Sequence, residues 1–536
     1  MRILFFIVCL GFVLAANAQR NIDVLHYKFN IELNDKNDTI YGKAEIKVKF
    51  LNATDELTFD LKSPANPSGI GLEENGKGMR VKEVLGPYVK RTLQVYSTIT
   101  IQLTKKFSTG DTTTCVISYS GIPADGLIIS KNQYGSRTFF GDNWPNRAHN
   151  WLPCVDDIAD KATVEFIVTA PSHYQVISNG VQIEETNLPD NKKLTHYRED
   201  VPLPTKVMVI GAADFAVNNV GDVNCTPVSS WVFPENKKDG FYDYAIAKDI
   251  LAFYMDYIGP YAYKKLANVQ SKTRFGGMEN AGAIFYSEYS VNGYRGEERL
   301  IAHEIVHQWF GNMATEKSFA HFWLSEGFAT YLTHIYLESK YGMDSLKKRM
   351  QEDRDEILSF VKSSKRPVVD STSNYMSLLN ANSYQKGGWV LHMLRRQLGD
   401  SVFHKAIRQY YATYAGKNAD TKDLQNIFEL VSGKKLGKFF QQWLYTPENP
   451  RLDVTWKYNK TENNIAITVK QLQASDFELP LEILVQESAV TMPRRMIKTI
   501  SKRTETFIYP VKSKPVRIEI DPMVSLLFEG TITEVK

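Results

Sequence analysis

The sequence predicts a multidomain α+β protein: an N-terminal antiparallel β domain over residues 19–219, a mainly helical domain over 220–446 and a C-terminal β sandwich over 447–536. Three observations carry this reading. Apolar and polar residues alternate with period two in runs from about Asn21 to Asn218. The pattern then changes to the 3.6-residue period of helices. Beyond the junction Thr446-Pro447-Glu448-Asn449-Pro450 the alternation returns. A length of 536 residues suits about three domains.

Ahead of the first domain, residues 1–18 read as a secretory signal peptide. Arg2 supplies the positive start, Ile3 to Leu14 the apolar core and Ala16-Asn17-Ala18 a small-residue cleavage site. The apolar run is short for a membrane span, and no later stretch is long and apolar enough to cross a bilayer. The expectation is an exported protein, secreted or periplasmic, with no stable membrane insertion after cleavage. Cys115, Cys154 and Cys225 then remain, an odd number that allows at most one disulfide, and their spacing resembles no zinc motif.

In the N-terminal domain Ala44 to Phe50 alternates apolar with charged residues, and Ser97 to Thr104 repeats the alternation with polar ones. Polar turn clusters such as Asn34 to Asp38 separate the runs. In the middle domain helices are expected over Asp239 to Ile258, Glu297 to Phe310, Ser325 to Tyr341, Asp344 to Val361, Ser383 to Leu398 and Thr421 to Val431. Glu297 and Glu298 suit the positive N-terminus of the second of these, and Gly311-Asn312 its C-cap. In the last domain Leu452 to Trp456 and Ile465 to Val469 read as strands. The overall balance is unremarkable, with 43% hydrophobic residues, 23% charged and a net charge of +4. No basic block with interleaved aromatics stands out, so nucleic acid is not an expected partner.

The chemistry concentrates in the run RLIAHEIVHQWFGNMAT. Residues four apart on a helix share one face, so His303 and His307 can aim two imidazole nitrogens at one Zn²⁺ ion. Glu304 is turned about 100° from His303, too far for a third ligand from that face. It can reach a water on the metal, the general-base position of zinc peptidases. A catalytic zinc needs three protein ligands and one open position. Glu326, in the first turn of the next helix and with eighteen residues between it and His307, is the candidate third ligand.

HEIVHQWFGN followed by WLSEGFATY resembles the zinc aminopeptidase (gluzincin) family that includes aminopeptidase N and leukotriene A hydrolase. Two more elements agree in order and rough spacing. Gly276-Gly277-Met278-Glu279-Asn280 resembles the family's G-x-M-E-N strand, and Tyr384-Gln385-Lys386-Gly387-Gly388 its Y-x-K-G segment. The resemblance implies a thermolysin-like catalytic domain with one Zn²⁺ held by His303, His307 and Glu326, and Glu304 as base. It gives Glu279 the substrate's α-ammonium, which a buried carboxylate binds by a charge-assisted hydrogen bond. It gives the Gly276-Gly277 backbone the extended peptide, as an added strand, and Tyr384 the oxyanion. The implied activity is release of N-terminal residues from peptides with a free N-terminus. A zinc endopeptidase and a catalytically inactive peptide-binding scaffold are the competing readings.

The chain departs from the family pattern at Gly141 to Asn146, where many members carry a Q-x-E or Q-x-Q grip on the amino group. Asp142 is either a substitute anchor there or a turn-capping aspartate. Larger relatives add a helical C-terminal domain over the active site, and a chain ending after the third domain is expected to have a more open cleft.

Overall fold

The computed structural model describes residues 20–64 and 76–535. The expected signal peptide lies outside the described residues. Among those described, no helix is long and apolar enough to cross a membrane.

The N-terminal region is built on a seven-stranded sheet. Strand Ile40–Phe50, next to the central strand Ile22–Glu32, buries every second residue from end to end, as its alternation requires. The sheet is not wholly antiparallel as expected. Ile22–Glu32 pairs in parallel with Lys161–Pro171, from His26 opposite Thr163 to Glu32 opposite Thr169. A parallel pair needs a long crossover, and the intervening strands supply it. A one-dimensional alternation does not encode which strands become neighbours. The expected boundary at 219 also falls inside a strand. Ala216–Val223 pairs with Thr226–Val232 and opens the five-stranded mixed sheet of the next unit.

That sheet ends on the short edge strand Gly277–Met278, paired antiparallel with Ala283–Ser287. The helices of the middle region are α1 (Lys237–Tyr244), α2 (Ala247–Tyr257), α3 (Glu298–Val306), α4 (Trp323–Tyr341), α5 (Met343–Phe360), α6 (Gly387–Leu398), α7 (Asp400–Tyr414), α8 (Thr421–Ser432) and α9 (Gly437–Phe440). Besides α6, which begins at Gly387 and not Ser383, and the short α9, which was not expected, three regions differ from expectation. The helix expected from Asp239 to Ile258 begins two residues earlier and is interrupted by a turn at Ala245-Ile246, between α1 and α2. Helix α3 stops at Val306, four residues early. His307 to Phe310 tighten into turns closed by Gln308 N–H to the Ile305 carbonyl and Trp309 N–H to the Val306 carbonyl. Helix α7 was not anticipated, although Phe403, Ala406, Ile407, Tyr410 and Tyr411 form its buried stripe at helical spacing.

The C-terminal region forms a four-stranded and a three-stranded sheet. Val454, Ile465, Ile467 and Val469 are buried on the first, and Leu479, Leu481, Ile483 and Val485 on the second. The middle region is pinned to both neighbours. Lys206 of the N-terminal region reaches Glu316 at 3.0 Å with both side chains fully buried. Arg354 of α5 pairs with Asp521 at 2.6 Å, and the His392 ring of α6 meets the Val524 carbonyl at 2.9 Å. A buried pair of this kind specifies how two units fit, since breaking it strands a charge. Cys115, Cys154 and Cys225 are all free thiols.

Candidate active site

Helix α3 presents His303, His307 follows one turn later as its C-cap residue, and α4 brings Glu326 to them from its first turn. Phe310, just past α3, stacks on Phe328 of α4, at 4.4 Å between ring centres. The three donor atoms form a nearly equilateral triangle. His303 Nε2 lies 3.2 Å from Glu326 Oε2 and 3.2 Å from His307 Nε2, and His307 Nε2 lies 3.3 Å from Glu326 Oε2. Among the described residues this is the only cluster of at least three such groups able to hold a metal ion. Tetrahedral ligands at about 2.0–2.1 Å from zinc stand about 3.3 Å from one another, so the triangle fits that ion. His307 Nδ1 lies 3.0 Å from the Phe310 carbonyl, a partner that fixes the tautomer and leaves Nε2 free to ligate.

The electrostatics of the triangle follow from burial and proximity. Burial opposes ionisation of Glu326, but His307 and His303 outweigh it and hold the carboxyl well below the usual range. Burial likewise opposes charge on His307, and Glu326 overrides it and raises the imidazole, whose Nε2 proton a bound cation would displace.

Glu304 sits beside the triangle and is 5% exposed. Burial pushes its carboxyl well up; His307 opposes this, while Glu279 and Glu326 add to it. The edge strand passes directly over it. A Cβ at position 277 would lie 2.5 Å from Glu304 Oε1, so Gly277 is the residue that lets the backbone through. Gly276 is less constrained, since a Cβ there would meet only Leu300 at 3.7 Å.

Glu279 lines the same cleft, and its buried Oε1 has no hydrogen-bond partner in the structure. Its backbone is held firmly: the Glu279 carbonyl accepts from Gln308 Nε2 at 2.9 Å and Asn312 Nδ2 at 2.7 Å. Sequence reasoning missed both amides, although they stand inside HEIVHQWFGN. The early end of α3 is what turns them toward the edge strand. Met278 lines the cleft as well.

Tyr384 comes from a wide turn, Asn382–Lys386, in which the Lys386 N–H reaches back to the Ala381 carbonyl. Such π-type turns recur at functional sites. Its ring lies almost parallel to His303, 12° between planes and 6.0 Å between centres. Burial, reinforced by Glu326, Glu279 and Glu304, keeps the phenol protonated and therefore a donor. The segment can approach α4 because Gly327 meets Gly387, where a Cβ on Gly327 would be 2.8 Å from Gly387 Cα.

Two expected residues are not brought to the cleft. Asn280 is fully buried behind the strand, where its carbonyl accepts from Ala283 N–H. Asp142 is 1% exposed, ion-paired with Arg147, and accepts from the Arg274 N–H at 3.0 Å. Its charge is spent on the loop that leads into the edge strand, and the substitute-anchor reading is set aside on that ground. The neighbouring Trp144 lines the cleft instead, its ring 5.7 Å from Phe275. The cleft has a volume of about 730 Å³.

A triangle able to hold a metal ion, an adjacent carboxylate and a glycine-bearing edge strand define a metallopeptidase-type centre, and sequence comparison agrees. The Peptidase M1 N-terminal domain matches residues 24–207 and the Peptidase family M1 domain residues 242–443, so the chain belongs to peptidase family M1. Similar proteins include aminopeptidase M1-C of Oryza sativa subsp. japonica, 29% identical over 332 residues, covering 59% of this chain and 38% of the relative. Glutamyl aminopeptidase of Rattus norvegicus is 27% identical over 349 residues, 61% of this chain and 36% of the relative. Tricorn protease-interacting factor F2 of Thermoplasma volcanium is 27% identical over 401 residues, 68% and 48% respectively. The match therefore spans less than half the length of each of these relatives.

Proposed function

We propose that this chain is a zinc-dependent aminopeptidase that removes N-terminal residues from peptides with a free N-terminus, with one Zn²⁺ per chain. The proposal extends to a thermolysin-like middle domain, a C-terminal β sandwich and export to a secreted or periplasmic location. One observation carries the exopeptidase reading: Glu279, a buried carboxylate with an oxygen lacking any partner, stands in the same cleft as the histidine–glutamate triangle. Leaving a buried carboxylate oxygen unpaired costs stability, and an incoming ammonium relieves it.

His303, His307 and Glu326 would hold the zinc ion, which would supply Lewis acidity at the scissile carbonyl. The chain's own groups do the rest. Glu304 takes a proton from the attacking water and passes it to the departing amine. Tyr384 donates to the oxygen on which negative charge develops. Glu279 fixes the ammonium, so that only the first peptide bond reaches Glu304. The Gly277 backbone admits the main chain of the substrate beside it.

The test is a comparison of aminoacyl arylamides with their N-acetyl counterparts. The free-amine compounds are cleaved, the blocked ones are not, and a zinc chelator stops the reaction. Glu279→Gln lowers kcat/KM on the free amines by about 10- to 100-fold without loss of metal. Cleavage of blocked and free substrates at similar rates makes the enzyme an endopeptidase instead.

A further inference from the structure

We infer that Tyr294 is a platform for the peptide on the far side of the scissile bond, selecting an aromatic or long aliphatic side chain about three residues beyond it. The inference rests on the aminopeptidase reading above and adds a substrate preference to it.

The direction of the substrate follows from the cleft. Glu279 stands at one end. Moving back along the edge strand, Gly277 faces Glu304 and Gly276 faces Leu300 of α3. Beyond Leu300 the cleft wall is made by Glu297 and Gly296, just before α3 begins. A peptide whose ammonium is at Glu279 and whose first carbonyl is at the triangle therefore continues toward Gly296.

Gly296 is the lining residue at that end, and Tyr294, outside the lining itself, lies against it. Its ring edge lies against Gly296, where a Cβ would come 2.6 Å from Tyr294 Cε2. The residue is 74% exposed. An aromatic ring left this open contributes little to folding, since its apolar surface stays in water. Yet the loop that presents it is held by five hydrogen bonds. The Asp243 carboxylate, 1% exposed, accepts from the N–H groups of Asn292, Gly293 and Arg295 at 2.7, 2.8 and 2.8 Å. The Asn292 side-chain oxygen accepts from the N–H groups of Tyr294 and Gly296 at 3.1 and 3.2 Å. A fixed scaffold under an exposed aromatic ring at a cleft mouth suits recognition, where such rings give large contact area at low entropic cost.

The reach sets the position. His303 lies seven positions beyond Gly296; the five steps within α3 rise about 7.5 Å at 1.5 Å per residue, and the two that precede the helix bring the span to about 10 Å. An extended peptide covers that distance in about three residues.

The test uses two peptide amides, X-Ala-Ala-Phe and X-Ala-Ala-Gly, with X the residue best released from arylamides. Each enzyme's kcat/KM is referred to its own arylamide value. The wild type is expected to favour the phenylalanine peptide by about three- to tenfold. Tyr294→Ala brings that ratio close to one, and Tyr294→Phe retains it. A ratio near one in the wild type, or one that survives Tyr294→Ala, overturns the proposal. Failure of the wild type to release any arylamide overturns the aminopeptidase reading and this inference with it, so the two failures are distinguishable.

Discussion

Glu304→Gln is expected to bind zinc as the parent chain does and to lose kcat by about 10²- to 10⁴-fold, the range for removal of a general base. Glutamine keeps the size and one acceptor of the side chain but cannot take a proton. The packing is close, because the Gly277 backbone runs directly over this carboxylate, and the amide fits the same space. The triangle is unaffected, since Glu304 is not among the three groups that converge on the metal position. KM is expected to change little, because the ammonium contact belongs to Glu279. Assay of kcat beside the metal content of the same sample checks this. Loss of zinc from the variant would make Glu304 structural.

Tyr384→Phe is expected to lower kcat by about 10²- to 10³-fold with little change in KM, because the lost donor acts where charge develops and not on the bound substrate. The ring itself stays, so its parallel packing on His303 and its edge contact with Phe322 are retained. The hydroxyl is what changes. Its neighbours Glu326, Glu279 and Glu304 all disfavour a phenolate, so Tyr384 serves as a neutral donor and contributes no ionisation to the pH profile. Steady-state kinetics on one arylamide separate the two constants. A variant with near-normal turnover would remove Tyr384 from the chemistry.

Much of this was legible in the sequence, for reasons that differ by residue. His303 and His307 are tied by the period of one helix, so their shared face follows from spacing alone. Glu326 lies on a different helix, and its approach depends on the Phe310–Phe328 stack and on how α3 and α4 pack, which no period reveals. Glu279 and Tyr384 were found through motif resemblance, since nothing in local pattern separates one glutamate or one tyrosine from the rest. Gln308 and Asn312 escaped notice because they act on a backbone carbonyl, a partner that leaves no trace in side-chain chemistry. Asp142 could be placed only by seeing Arg147 close on it. The fold divides in the same way. Alternation located the strands of both β regions, but the parallel pairing of Ile22–Glu32 with Lys161–Pro171 depends on long-range neighbours. Helix α7 carries its stripe between Phe403 and Tyr411 at helical spacing, so that element too was legible in the sequence.

The central claim is that one divalent ion sits among two imidazoles and a carboxylate. Diffraction from crystals of the purified chain, recorded on both sides of the zinc absorption edge, tests it most directly. The prediction is a single anomalous peak about 2.0–2.1 Å from His303 Nε2, His307 Nε2 and a Glu326 oxygen, present above the edge and lost below it. A zinc-supplied crystal with no peak there, or with its zinc bound elsewhere, would contradict the account.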